Sequence, residues 1–251
     1  MTFTRRLVDE QMDALDLDPE EHRLALAGLR RLNSLSGVSS VLYRRLLRLA
    51  PAKPRRPMRV LDVASGGGDL PVAWLVRARR QGFPLHVTAL DRSGTALEAA
   101  SEQAQRANVD LATVQRDCLC DGLPGGFDVV TCSLFLHHLN EPQAIRLIQE
   151  MWRASRRSVV VCDLERSRLN LALVAAAARL VSRSGVVHHD AVASVQGAFT
   201  RPELADLFRH SLGFTVPVRR SLPCRMVAVM EQSCEVEWVE GLAPAVAGAV
   251  A

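Results

Sequence analysis

Residues Met58–Pro71 read MRVLDVASGGGDLP. A β-branched apolar run closes on an acid, passes through a glycine triplet and meets residues able to open a helix. This is the pattern of a strand turning sharply over a bound ligand. Gly66, Gly67 and Gly68 lack a Cβ, so the backbone there can take positive φ and lie against a ligand that any side chain would push away. A nucleotide-type cofactor suits such a turn. The dinucleotide fingerprint G-x-G-x-x-G is the competing reading; with its first glycine on Gly66, Gly68 falls second and Pro71 third. That third position needs a small residue for helix–strand packing, and proline fails it. Asp62 stands four residues before the triplet, in the arrangement acid-x-small-x-Gly-x-Gly.

Outward from this turn, strand-like and helix-like runs alternate: strand 59–63, helix 69–81, strand 85–90, helix 94–107, strand 111–115, strand 127–132, helix 142–154 and strand 158–162. Such alternation predicts an α/β fold with a doubly wound, mainly parallel sheet and helices on both faces. After Asp163 the rhythm breaks. Residues 164–198 read as a helical insertion after the fifth strand, alanine-rich and then polar, before a helix at 202–211 and two closing strands at 214–219 and 224–230.

Upstream, Asp18-Pro19-Glu20-Glu21 reads as a helix start with an Asp cap and Pro at the first helical position, and Leu26, Leu29 and Leu32 then share a face. Val38, Val41, Leu42, Leu46 and Leu49 make a second stripe. Together these predict an N-terminal helical cap, joined to the core by a stiff linker at Pro51, Pro54 and Pro57. The expected organisation is cap and linker over 1–57, core over 58–233 with a lid insertion at 164–198, and a loose tail over 234–251.

At 251 residues the chain is long enough for one generous α/β domain. Its formal charge of +4 comes from 31 basic against 27 acidic residues, and Lys53 is the only lysine. The arginines are scattered along the chain, singly or in short clusters such as Arg55–Arg56 and Arg219–Arg220, so no nucleic-acid face is expected. Six cysteines show no C-x-x-C pair, which predicts reduced thiols and a cytoplasmic setting. The N-terminus lacks the apolar core of a secretory signal, and the longest apolar run, 169–181, is interrupted by Asn170 and Arg179 and too short to span a bilayer. A soluble protein without stable membrane insertion is expected.

The motif Asp62, Ala64, Gly66, Gly68 resembles the first motif of the class I S-adenosylmethionine-dependent methyltransferases, with Ala64 where glycine is commoner. The resemblance covers the following strands to about Ser133 and, more loosely, residues 20–231. It implies S-adenosylmethionine as cofactor, held by Asp62, Ala64, Ser65, Gly66, Gly68, Asp69 and Leu70 around the turn. Asp91, closing the strand LHVTALD, matches the acid that grips the ribose diol, with Arg92 beside it. Asp117 matches the adenine acceptor, with the Cys118 amide next to it, although Asp121 lies near enough to play the same part. Ser133 and Leu134 match the turn that floors the transfer pocket and, with His138 just after it, are expected to contact the cofactor; so apolar a turn suits a small molecule better than a flipped base.

For catalysis, the segment GVVHHDAVASVQGAFT sets His188 and His189 beside Asp190, and an imidazole oriented by a carboxylate is a plausible base for a phenol or enol. A solvated loop there and a base at His137 or His138 are the alternatives. No metal site is expected. Leu- and Val-rich faces of cap and insertion predict an apolar cavity. The architecture resembles bacterial small-molecule methyltransferases of secondary metabolism that act on phenols, quinones and polyketides, by transfer to oxygen or activated carbon. The competing functions are a cofactor-binding module that has lost transfer, and a nicotinamide oxidoreductase, which Pro71 disfavours.

Overall fold

The structure is a computed structural model that describes residues 3–11, 18, 24, 25, 28, 31, 37–51, 56–221 and 223–232. Helix α1 (Val38–Leu49) precedes strand β1 (Met58–Val63), after which come α2 (Asp69–Gln81), β2 (Leu85–Asp91), α3 (Gly94–Arg106), β3 (Ala112–Gln115) and β4 (Phe127–Ser133). A 3₁₀ turn at Leu136–His138 leads into α4 (Glu141–Ala154) and β5 (Ser155–Leu164); α5 (Arg168–Val181), α6 (Gly185–Gly197), α7 (Arg201–Leu212), β6 (Val218–Ser221) and β7 (Arg225–Glu231) complete the fold. Among the described residues no helix is long and apolar enough to cross a membrane.

The seven strands run in the order β3-β2-β1-β4-β5-β7-β6. β1 to β5 pair in parallel, while β7 is antiparallel to both β5 and β6. The order reverses between β1 and β4, and this switch point opens a crevice at the carboxyl ends of the strands. β1 and β4 are buried along nearly their whole length, as central strands covered on both faces must be. On one face Val130, Val159 and Val161 meet Leu147, Ile148 and Met151 of α4 and Leu204 and Phe208 of α7. On the other, Val60, Val129 and Val160 meet Trp74 of α2 and Leu42 and Leu46 of α1.

Local chemistry explains the helix bounds. Asn140 and Thr200 each form a reciprocal capping box, with Gln143 and Glu203, and a proline sits in the first turn of α4 and α7. Gly82 and Gly213 end α2 and α7 in the left-handed region. β6 starts after Pro217, four residues later than the expected 214, because the residues before it lie outside the ladder with β7.

The expected cap takes a different place. The stripe of α1 is covered by α2 and the sheet, and Trp74 Nε1 donates to Ser39 O at 3.2 Å, so α1 belongs to a core layer instead of roofing a cleft. Its periodicity marked a buried face without saying what buries it. Of the expected helix start at 18–21 only Asp18 is among the described residues, and the face of Leu26, Leu29 and Leu32 and the 234–251 tail lie outside them. The insertion does pack above the carboxyl end of β5: Val174, Ala178, Val187, Ala191, Val195 and Ala198 cluster with Leu164, and Phe3 and Leu134 lie against them.

Candidate active site

The glycine turn is built by opposing demands on successive residues. Ala64 and Gly66 adopt φ of 52° and 53°, and Ser65 N donates to Leu90 O at 3.0 Å, which ties the end of β1 to β2. Gly66 N then donates to Asp91 Oδ2 at 2.8 Å, and Ser93 N to Asp91 Oδ1 at 2.9 Å. A carboxylate oxygen accepts more than one hydrogen bond, so Asp91 has capacity left for a vicinal diol. A Cβ added to Gly66 or Gly67 would meet no heavy atom within 4 Å, whereas one on Gly68 (φ 74°) would meet Ala100 Cβ of α3 at 2.6 Å. Gly66 and Gly67 therefore keep space open, and Gly68 packs helix against turn.

Asp62 lies beneath the turn, 2% exposed, where it accepts a hydrogen bond from Thr131 Oγ1 of β4 at 2.6 Å. Burial pushes its carboxyl up to about 7, with the Thr131 bond opposing and the Asp91 charge adding. Asp62 thus clamps β1 to β4 under the site. Asp69 and Leu70 open α2, Leu70 facing the core, and Arg92 is exposed at the rim.

After β3, Asp117 Oδ1 accepts from Leu119 N at 2.8 Å, and Asp121 Oδ2 accepts from Asp117 N at 3.0 Å. Asp121 braces this turn, and Asp117 Oδ1 caps its next step. Burial pushes the Cys118 thiol up to about 12, so it offers its backbone and not a thiolate.

Ser133 ends β4, and Leu134 turns at φ 58° with its amide on Cys162 O at 2.8 Å. Non-glycine residues are strained there, and such strain collects at functional sites. Ser65 Oγ and Ser133 Oγ are buried without a partner among the described residues. They stand at the carboxyl ends of β1 and β4, the two strands flanking the switch point. With the open space at Gly66 and Gly67 and the Asp91 carboxylate, these hydroxyls fit a polar, diol-bearing cofactor.

The 3₁₀ turn beyond Leu134 holds a charge cluster. His137 is 5% exposed; Asp163, at the end of β5, accepts from its backbone N at 3.0 Å and faces its Nδ1 at 2.6 Å. From the N-terminal strap, Glu10 Oε1 comes to 3.6 Å from His137 Nε2 and 3.7 Å from His138 Nε2. Burial opposes the charged imidazolium, but the Asp163 and Glu10 carboxylates outweigh it and push His137 up to about 10. It therefore holds its proton at neutral pH and is no general base in this state.

The strap is fastened along its length: Arg5 Nε donates to Gly197 O at 2.7 Å and Nη2 to Leu139 O at 2.6 Å, Arg6 N to Gln196 O at 3.1 Å, and Gln11 N to Asp190 Oδ1 at 2.8 Å. The guanidinium of Arg5 also stacks 3.7 Å from the Phe199 ring.

His188 and His189 lie elsewhere. Their segment is the helix α6, not a loop; His188 Nε2 is 2.8 Å from Ser182 O, and His189 Nδ1 is 3.0 Å from Asp190 Oδ1. Gly197, at the far end of α6, is the residue that abuts His137 O. Nine residues of helix at about 1.5 Å each put His188 about 14 Å along the axis from that contact. Asp190 is also committed to the strap. The sequence motif joined neighbours in the chain, whereas the helix spreads consecutive side chains about 100° apart.

Glu10 and Asp163 were missed. Asp163 carried a signal: like Asp91, it closes an apolar strand at the carboxyl edge. Glu10 carried none, since its partners are more than a hundred residues away.

A family model described as a methyltransferase domain matches residues 60–158, from β1 into β5. Over these residues the chain is similar to the class I S-adenosylmethionine-dependent methyltransferases, in keeping with its glycine turn and sheet order. It is also similar to a ubiquinone biosynthesis O-methyltransferase of Idiomarina loihiensis, 35% identical over 89 residues, which are 35% of this chain and 34% of that protein. The chain thus spans about a third of the length of the first O-methyltransferases it matches. A demethylmenaquinone methyltransferase of Porphyromonas gingivalis is 28% identical over 219 residues, 79% of this chain and 85% of that one. Among solved structures, the plantazolicin methyltransferase BpumL, in complex with a substrate analogue and SAH, shares the fold with a TM-score of 0.63 at 13% identity, covering 86% of this chain and 91% of its own.

Proposed function

We propose that this chain transfers the methyl group of S-adenosylmethionine to an oxygen, or an activated carbon, of an apolar small molecule of phenol, quinone or polyketide type. The observation that carries the reading is the glycine turn at the β1–β4 switch point, where Asp91 accepts from the Gly66 amide, Gly66 and Gly67 leave space open, and the buried hydroxyls of Ser65 and Ser133 at the ends of β1 and β4 find no partner among the described residues. When bound there, the cofactor supplies an electrophilic sulfonium methyl group. Asp91 would hold the ribose, Asp117 and the Cys118 amide the adenine, and the first turn of α2 would lie against the cofactor.

The acceptor side is lined by apolar groups: Phe3, Leu134 and Leu171 pack with the insertion around Leu164. Such a wall excludes water and favours a hydrophobic acceptor. The acceptor atom provides the electron pair of the new bond, and a hydroxyl acceptor must give up its proton. His188 and His189 were expected to take that proton; their place on α6 supports the 3₁₀ turn as the acceptor-activating element instead. The names of the relatives, a ubiquinone biosynthesis O-methyltransferase and a ubiquinone/menaquinone biosynthesis C-methyltransferase among them, agree with a quinone-type acceptor and with either oxygen or carbon as its reacting atom.

The test is incubation of the protein with a labelled methyl donor and a panel of catechols, hydroquinones and hydroxylated polyketides, with mass spectrometry of the products. Labelled product together with S-adenosylhomocysteine supports the reading. S-adenosylhomocysteine binding without transfer to any acceptor, including those in a host extract, would make the chain a binding module.

A further inference from the structure

We propose that Glu10, His137 and His138 form a binding site for one divalent first-row transition-metal ion, zinc foremost, on the acceptor side of the crevice. The three ligand atoms, Glu10 Oε1 and the two Nε2 atoms, all lie within 4.8 Å of one another. The carboxylate stands 3.6 and 3.7 Å from the two nitrogens, too far for a good hydrogen bond and near the edge of a tetrahedron. With metal bonds of about 2.0–2.1 Å, that edge is about 3.3–3.4 Å. An ion pair would close this gap; three groups arranged around a shared centre would keep it.

The surroundings have the character of a metal site's outer shell. Asp163 Oδ1 lies 2.6 Å from His137 Nδ1, which keeps a proton on that nitrogen and leaves Nε2, facing Glu10, as the nitrogen that would give up its proton to an incoming ion. The Asp163 carboxylate is itself held by the amides of His137 and Leu164, at 3.0 and 2.7 Å. The Ser194 hydroxyl of α6 donates to Glu10 Oε1. The two imidazoles lie nearly face to face, centroids 4.3 Å apart and planes 32° apart, so both rings turn the same edge to the carboxylate.

Charge and softness point the same way. Two carboxylates converge on two imidazoles in a nearly dry setting, and a doubly charged ion between neutral rings brings the cluster to neutrality. Two imidazole nitrogens with one carboxylate suit zinc or ferrous iron, while magnesium and calcium prefer all-oxygen sets. The His138 side chain keeps 24% exposure, which leaves a way in for the ion and a face for a further ligand. What the ion would do rests on the methyl-transfer reading. A hydroxyl acceptor bound to it would lose its proton to solvent, the part expected of a histidine base, and offer the oxygen lone pair for the new C–O bond as the S–CH3 bond of the donor breaks and its electron pair returns to sulfur, releasing S-adenosylhomocysteine.

The test uses the full chain, stripped with chelator and titrated with Co²⁺ as a visible stand-in for zinc. The expected result is a ligand-field spectrum that saturates at one ion per chain, lacks thiolate charge-transfer bands and is abolished by Zn²⁺. Glu10→Gln and His138→Gln should each weaken Co²⁺ binding by more than about 100-fold, and Ser194→Ala by about 10–100-fold, with an unchanged circular dichroism spectrum. No saturable spectrum in the wild type, thiolate bands from cysteine ligation, or equal binding by well-folded Glu10→Gln protein would each overturn the proposal. Calorimetry with S-adenosylhomocysteine on the same samples keeps the two readings apart. Cofactor binding without Co²⁺ binding sinks the metal site alone, and the reverse sinks the methyltransferase reading alone.

Discussion

Two neighbouring glycines, alike in the sequence, should fail in different ways when changed to alanine. At Gly66 the added Cβ meets nothing within 4 Å, and the cost to folding is conformational only. Holding alanine at φ near 53° costs about 1–2 kcal/mol, partly offset by the smaller freedom of the unfolded chain, for a net loss of about 1 kcal/mol. At Gly68 the same conformational loss is joined by a collision with Ala100 Cβ at 2.6 Å and Ala100 Cα at 3.2 Å. The second of these is backbone and cannot rotate aside, so overpacking adds about 1–3 kcal/mol, for about 2–4 kcal/mol in all. With m of about 2–3 kcal/mol/M in urea, Gly68→Ala should move the unfolding midpoint by about 1 M, and Gly66→Ala by less than half as much. Calorimetry with S-adenosylhomocysteine should order the pair the other way. Gly66→Ala fills the ligand's side of the turn and should bind at least tenfold more weakly, about 1.4 kcal/mol, whereas folded Gly68→Ala loses less. Equal midpoints for the two variants, or wild-type binding by Gly66→Ala, would refute the division of labour drawn from the turn.

Ala64→Gly should relieve the strain at φ 52° and raise the urea midpoint, since glycine occupies that region freely. Asp91→Ala removes the acceptor for the Gly66 and Ser93 amides as well as the proposed ribose grip, and should weaken S-adenosylhomocysteine binding by about 2–4 kcal/mol; unchanged affinity in a titration would remove Asp91 from the site. Asp62 has its folded pKa raised to about 7, above the 3.8 of the free side chain, so its contribution to stability is full at low pH and is lost as pH rises through about 7. Asp62→Asn should erase a pH-dependent loss on the order of 4 kcal/mol at most, and urea midpoints of the two proteins at pH 5 and pH 8 should diverge accordingly. His188→Gln and His189→Gln should leave turnover near wild type across pH 6–9, and a large loss rescued at high pH would return base catalysis to α6.

The strands, the helices and the glycine turn were legible in the sequence because each is specified within a few residues. A run such as VLDV can satisfy its backbone only in a sheet once Gly66 and Gly68 turn the chain. Asn140 with Gln143 and Thr200 with Glu203 set helix starts from within one turn. Asp91 was legible for the same reason, an acid closing an apolar strand; Asp163 obeys the same rule, but its partner His137 comes from the turn after a different strand.

The tertiary structure alone decided which of these local pieces meet. Periodicity gave α1 a buried stripe, but only packing shows that Trp74 and the sheet bury it. The adjacency His188-His189-Asp190 suggested a catalytic pair, yet a helix spreads consecutive residues about 100° apart, and the strap claims the aspartate. Glu10 comes to His137 and His138 only because Arg5, Arg6 and Gln11 tie the N-terminal strap along α6. Local steric and hydrogen-bonding preferences act over a few residues and can be read one segment at a time. The acceptor side of the site depends on contacts between segments far apart in the chain, whose meeting is fixed by burial of the whole sheet and not by any pattern within the segments themselves.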